Sequence, residues 1–240
     1  MGLNDNYIEL NNMQMEKAIL RQIKEKKKGL GKIMTKKITI EDAGSLMELE
    51  FDLMLMEDLA FLRYFTNLEK LTLKNVTGLK DISGLIYCRY LKSLSCINTP
   101  IDNFASLLDC RELESFQYSC DQNAEADFRR GPEFFDFLKE FPRLEHVNLE
   151  GNVIKDPSFL VESPTLKSLS LSGNPLCSIE SLTSLLFLEH LEVSDCGLTA
   201  LENVEQFKRL RVLYAERNKI TLAELNDYKK KCAHMDDIYF

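Results

Sequence analysis

The stretch TLKSLSLSGNPLCSIESLTSLL, Thr165 to Leu186, decides how the rest of the chain is read. Leucines stand at 166, 169 and 171, an asparagine at 174, and apolar residues at 176, 179 and 182. Leucines two apart suit a short strand, whose alternate side chains face one side. The later apolar positions suit a tight return path of extended or 3₁₀ turns, too short for a full helix. One such coil cannot bury its own apolar face, so it requires similar coils on either side.

The chain supplies them. Aligned on the first leucine, coils start at Leu46, Leu68, Leu91, Leu113, Leu144, Leu166, Leu188 and Leu210, with spacings of 22, 23, 22, 31, 22, 22 and 22. Each start is followed at +3 and +5 by inward residues, from Leu49 and Phe51 in the first coil to Leu213 and Ala215 in the last. Asn152, Asn174 and Asn218 fall at +8, where a buried amide can hydrogen-bond turn backbone that would otherwise lack a partner. Cys196 holds this position in the seventh coil, and Met54, Val76 and Thr99 hold it in the first three, which predicts a less regular first half. The register predicts an α/β solenoid. It is a right-handed superhelix of about eight coils with a parallel concave sheet, strands about 4.8 Å apart, and helical caps at both ends.

The remaining segments fit around that frame. Residues 1–12 read as a polar tail and 13–45 as an N-terminal helical cap. Met15, Ala18, Ile19 and Ile23 recur at helical spacing, Lys26 to Lys28 and Gly29 mark the helix end, and Thr39 with Asp42 opens a second, short helix. Residues 46–220 form the solenoid, with an insertion at about 120–142 in the long fourth interval. Gly131-Pro132 begins a helix there, and Phe134, Phe135, Phe137, Leu138 and Phe141 give it an apolar stripe for packing. Were the insertion instead a binding protrusion, Phe128, Arg129 and Arg130 would be its natural contacts. Residues 221–240 read as a C-terminal cap: Thr221 and Glu224 form a capping box, and Leu222, Leu225, Tyr228 and Cys232 line one helix face. The apolar tail Ile238, Tyr239, Phe240 is expected to fold back over the last coil.

Composition excludes several function classes. A formal charge of -8 is not the footprint of a nucleic-acid binder. Met13 to Lys37 carries a local +7, read as a solvated helix end that balances the dipole rather than as a site for an anionic surface. No apolar run approaches the roughly 18 to 20 residues needed to span a bilayer. The N-terminus lacks a secretory pattern, and Asn6 stands where myristoylation requires serine or threonine. The seven cysteines are odd in number and contain no C-x-x-C pair, which points to free thiols in a reducing compartment, hence a cytoplasmic protein. Cys88 and Cys110 each precede a coil start by three residues and so stack within disulfide reach; burial as two thiols is the favoured reading. No metal, cofactor or catalytic constellation is expected, and the chain is read as a monomer.

The coils between residues 143 and 220 resemble the short leucine-rich repeats of internalins and of protein phosphatase 1 regulatory subunits. MEKAIL at 15–20, Leu30-Gly31-Lys32, ITIED at 38–42 and Leu46 resemble the helical cap that precedes internalin-type repeats. The resemblance covers most of residues 15–233 and implies a protein-binding scaffold acting through its concave strand face. It departs from the internalins in lacking an export signal and in its long fourth coil.

Outward strand positions are +2, +4 and +6. Glu48, Glu50 and Asp52 open the series, and Ser168, Ser170 and Ser172 form a small, neutral middle. His146 and His190 share one column, roughly 9 to 10 Å apart on two strand spacings, too far to bind one metal ion. An open sheet offers no deep, water-excluding pocket, which argues against an enzyme. The expected partner-binding residues are His146, Asn148, Glu150, His190, Glu192, Asp195, Tyr214 and Glu216, contacting another protein. The alternative is an exported or surface internalin-like factor that binds a host receptor.

Overall fold

The computed structural model describes residues 6–28 and 37–240. Gly29 and Leu30-Gly31-Lys32, read above as a helix stop and as part of the internalin-like cap, lie outside these residues. The chain divides into two compact units, Met1–Leu113 and Glu114–Phe240.

In the first unit, β1 (Tyr7–Ile8) pairs antiparallel with β2 (Ile38–Thr39). Helix α1 (Met13–Lys26) starts at Asn12, whose side-chain oxygen accepts from the amides of Gln14 and Met15, and buries Met15, Ile19 and Ile23. Helix α2 (Ile40–Ser45) begins where the Thr39 hydroxyl accepts from the Asp42 amide at 3.0 Å. The Asp42 carboxylate, itself buried, is paired with Lys27.

Three parallel strands follow: β3 (Glu48–Leu55), β4 (Lys70–Thr77) and β5 (Ser93–Ile97). Leu49, Leu71 and Leu94 align across them, as do Phe51, Leu73 and Cys96, all buried. The returns are 3₁₀ turns at Ala60–Tyr64, Ser83–Tyr87 and Ala105–Asp109. The open edge of β3 is covered by α1. Gln22 pairs with the backbone of Glu50 through both halves of its amide, at 2.8 and 2.9 Å, and Asn12 donates to the Leu55 carbonyl at 2.8 Å. These side chains stand in for a neighbouring strand and blunt an edge that would otherwise template association.

The second unit carries β6 (Ser115–Ser119), β7 (His146–Asn148), β8 (Ser168–Ser170), β9 (His190–Glu192), β10 (Val212–Tyr214) and β11 (Asp237–Tyr239), each parallel to the next. Strand β11 belongs to the tail expected to fold back: it adds a strand beyond the last leucine-marked coil. Between β10 and β11 lies α3 (Leu222–Lys231), opened by the capping box of Thr221 and Glu224. Leu222 does not line its packed face; it is 80% exposed at the first turn. Cys232 is buried, and the Tyr228 hydroxyl accepts from the Leu201 amide. The insertion holds 3₁₀ segments at Ala126–Phe128 and Pro132–Glu140, in place of an α-helix. Phe135, Leu138 and Phe141 go into the core.

The two units satisfy their turn backbone differently. In the second, Asn174 donates to the carbonyls of Leu149 and Leu171 and accepts from the Ile154 amide. Asn152 and Asn218 do the same in their own coils. Cys196 makes the weaker version, its sulfur 3.3 Å from the Leu171 carbonyl oxygen. In the first unit Met54 and Val76 cannot serve, and β3 and β4 instead run on for eight residues each, pairing Met54 with Val76 and Leu55 with Thr77. A side-chain ladder from Asn98 to Asn75, both at +7, and on to Asp52 at +6 supports the same turn from outside. The expected irregularity of the first half is thus an extension of the sheet.

Position +7 is left-handed in both units: φ is 51° at Leu53 and Asn75, 49° at Asn98, 71° at Gly151 and Gly173, and 55° at Asp195. At Gly151 glycine is required twice over, since a Cβ there would stand 1.7 Å from the Cys120 carbonyl oxygen.

Three outcomes follow. Asn174→Ala is expected to destabilise the chain by about 2–3 kcal/mol in urea unfolding, because it strands buried carbonyls. Gly151→Ala should cost about 3 kcal/mol or more through its clash. At Gly197, where φ is 74° with nothing within 4 Å of a Cβ, alanine should cost only the left-handed strain, about 1–2 kcal/mol. All seven cysteines are free, and burial pushes the Cys88 and Cys110 thiols up to about 12. In a thiol titration the native chain should therefore react first at exposed Cys177, and the denatured, unreduced chain should yield seven thiols.

Candidate functional site

The pairing of the second unit places the outward residues in columns. His146, Ser168, His190, Val212 and Asp237 form one; Asn148, Ser170, Glu192, Tyr214 and Tyr239 form the next. All eight residues expected to contact a partner lie in this unit: the strands place His146, Asn148, His190, Glu192 and Tyr214 on one side of its sheet, and Glu150, Asp195 and Glu216 follow in the turns at the strand ends. His146, Glu150, His190, Glu192 and Asp195 are exposed, and Asn148, Tyr214 and Glu216 are half-buried.

Their hydrogen bonds separate residues that support the face from residues that present it. The Asn148 side chain accepts from the Glu150 amide at 3.0 Å. Asp195 is held by Arg217 at 2.6 Å. Glu192 accepts from the Ser170 hydroxyl at 3.2 Å. Tyr214 lies flat against Tyr239, with ring centroids 4.6 Å apart and planes within 5°. Tyr239 and Arg217 were not among the expected contacts. Arg217 was findable, because Asp195 and Arg217 share position +7 in adjacent coils. Tyr239 was not, because β11 carries no leucine signature.

The serines behave differently from expectation. Ser170 and Ser172 are only 7% and 9% exposed, although they point to the outward side. The Ser172 hydroxyl accepts from the Ser194 amide and the Ser194 hydroxyl from the Glu216 amide, both at 3.1 Å. They are therefore a backbone-capping ladder at the strand ends, lying low beneath taller neighbours.

Glu150 is the carboxylate of this face whose titration is shifted. Burial, and then the charge of Glu192, push its carboxyl up from the ordinary value. Neither Glu150 nor Glu192 makes an ion pair among the described residues. The adjoining +1 column behaves otherwise: Lys167 pairs with Glu145 at 2.8 Å and Arg211 with Asp236 at 2.7 Å.

The insertion uses its polar groups internally. The Arg129 guanidinium donates to the carbonyls of Gly151 and Asp121, and the Tyr118 hydroxyl donates to the Phe128 carbonyl. Arg130 lies over the Phe134 ring, 5.0 Å from its centroid. In the first unit the groove beside α1 is lined by mixed charges, including Arg21, Lys26, Glu48 and Lys70, together with Gln22, which is spent on the β3 edge. Among the described residues no group of three or more His, Cys, Asp or Glu is placed to hold a metal ion. No helix among them is long and apolar enough to cross a membrane.

No protein-family model matches the chain, and no curated protein matches it. Solved structures do. Internalin C2 of Listeria monocytogenes is similar at 16% identity and a TM-score of 0.59, over 85% of this chain and 93% of that one. Another internalin of Listeria monocytogenes is 14% identical with a TM-score of 0.39, over 95% of this chain and 88% of that one. A leucine-rich repeat protein of Leptospira interrogans is 17% identical with a TM-score of 0.41, over 75% and 62%. Identity this low speaks of fold alone, and of these three internalin C2 carries that statement. Its likeness agrees with the parallel strands, 3₁₀ returns and asparagine-bonded turns: the chain is a leucine-rich repeat protein, an α/β solenoid.

Proposed function

We propose that this chain is a non-catalytic, monomeric, cytoplasmic interaction module that binds another protein through the outward strand face of its second unit. One observation carries the reading. On this face Glu150, Glu192, His146 and His190 project exposed, Glu150 and Glu192 without an ion pair, whereas the insertion's arginines are bonded to its own loops. Exposed carboxylates without an ion pair among the described residues, on a rigid sheet, can form intermolecular contacts without local rearrangement. An open strand face of this kind encloses a substrate poorly, which disfavours turnover. Thiols that are buried and unpaired suit a reducing compartment.

A second reading is supported by the fold of internalin C2: an exported or surface factor that binds a host receptor. Fractionation separates the two, since the first requires the protein inside the cell. The binding reading is tested with a protein captured on the immobilised full chain and then measured against the double variant His146→Ala/His190→Ala. Both histidines are exposed and the variant should keep the wild-type unfolding midpoint. Affinity is expected to fall about tenfold, some 1.4 kcal/mol. Unchanged affinity would move the site off this face.

A further inference from the structure

We propose that the outward face of the second unit receives a cationic side chain, the lysine or arginine of a partner protein segment, over the serine floor between Glu150 and Glu192. This rests on the binding role proposed for that face and adds the kind of partner it fits.

The first ground is shape. Strand β8 contributes Ser168, Ser170 and, just past its end, Ser172, and the last two lie low. Glu150 stands on the preceding coil and Glu192 on the following one, both exposed. Two strand spacings and a two-residue offset along the strand put their backbones roughly 12 Å apart on a diagonal, room for one extended side chain between two carboxylates.

The second ground is charge. The outward and +7 positions of this unit carry Glu150, Glu192, Asp195, Glu216 and Asp237 against one lysine or arginine among its described residues, Arg217, which is held by Asp195, with His146 and His190 as the other basic side chains. This acid excess is complementary to a cation. The upward shift at Glu150 agrees, because Glu192 contributes to it with no cation between them.

The third ground is aromatic. Tyr239, backed by Tyr214, is 42% exposed beside Asp237 and Glu216. A ring against which a second cation can rest thus lies three strands from β8, roughly 14 Å away. An extended segment rises about 3.3 Å per residue, so its two cations would stand about four residues apart.

The test uses the full chain and a glycine–serine peptide bearing two arginines at that spacing, titrated by amide NMR at physiological ionic strength. Saturable shifts are expected at Glu150, Ser170, Ser172 and Glu192. Glu150→Gln/Glu192→Gln should weaken the peptide about tenfold. Glu57→Gln/Glu125→Gln, which changes net charge equally at exposed sites elsewhere, should stay within about twofold. Equal loss in both pairs would reduce the effect to overall charge and overturn the proposal, as would the lack of saturation. The two failures separate cleanly. A captured partner that needs His146 and His190 but is not displaced by the arginine peptide leaves the face reading standing and ends this one. Peptide binding at the serine floor with a captured partner indifferent to the histidines leaves the cation site standing and ends the other.

Discussion

The structure depends on one constraint: each coil turns sharply at the end of its strand, and the backbone exposed by that turn must find partners inside a stack where water is excluded. A buried unpaired carbonyl or amide costs about 1–3 kcal/mol, and the turn recurs in every coil. The second unit meets the constraint with asparagine at +8, which has two donors and an acceptor in one short side chain. Asn174 bonds the coil before it and its own turn at once, so the same residue closes the turn and fixes the spacing between coils. The first unit has apolar residues there and lets the strands carry the bonding further. Met54 pairs with Val76 and the Met56 amide donates to the Thr77 carbonyl at 3.0 Å. Thr99, between the two regimes, uses its hydroxyl toward the carbonyls of Leu73 and Ile97.

Ending a parallel sheet is the second problem, because an edge leaves a row of unpaired groups. The strand β3 edge is met by a helix whose glutamine behaves as a strand residue, satisfying the Glu50 amide and carbonyl together. In the second unit the chain builds β11 after α3. Its attachment is specific: Asp236 meets Arg211 across the strand pair, and Tyr239 covers Tyr214. A tail that would be a loose apolar segment in solution becomes part of the face that is proposed to bind.

How much of this was legible follows from where each signal lives. Register is a periodic property, so Leu46 to Leu210 located the strands and sorted inward from outward residues before any coordinates. The hydrogen-bonding role of Asn174 was legible because few side chains have its donor and acceptor count. What escaped depended on heights and neighbours rather than on spacing. Ser170 and Ser172 sit at outward positions yet are covered, since a serine between longer side chains cannot reach solvent past them. Leu222 satisfies a helical pattern but falls on the first turn of α3, clear of the packed face. Arg129 looked available as a charge, and its two carbonyl partners at Gly151 and Asp121 could be found only once the insertion had been folded.

The distribution of charge across adjacent columns of the second unit separates structural charge from presented charge. At +1, Lys167 meets Glu145 and Arg211 meets Asp236 within 2.8 Å across adjacent coils. Exposed pairs of this kind contribute at most about 1 kcal/mol each, so their use is chiefly in favouring this pairing of coils. At +4 and +6 no acid–base alternation exists. Glu150 and Glu192 flank small residues, and burial, then the charge of Glu192, push the Glu150 carboxyl up. A face designed only for stability would place a base at one of these positions, as the +1 column does. Here serine stands between them, keeping the gap low and the two carboxylates unneutralised. The pairs Lys167–Glu145 and Arg211–Asp236 thus serve the spacing of the sheet, while the gap between Glu150 and Glu192 is where the proposed cation fits.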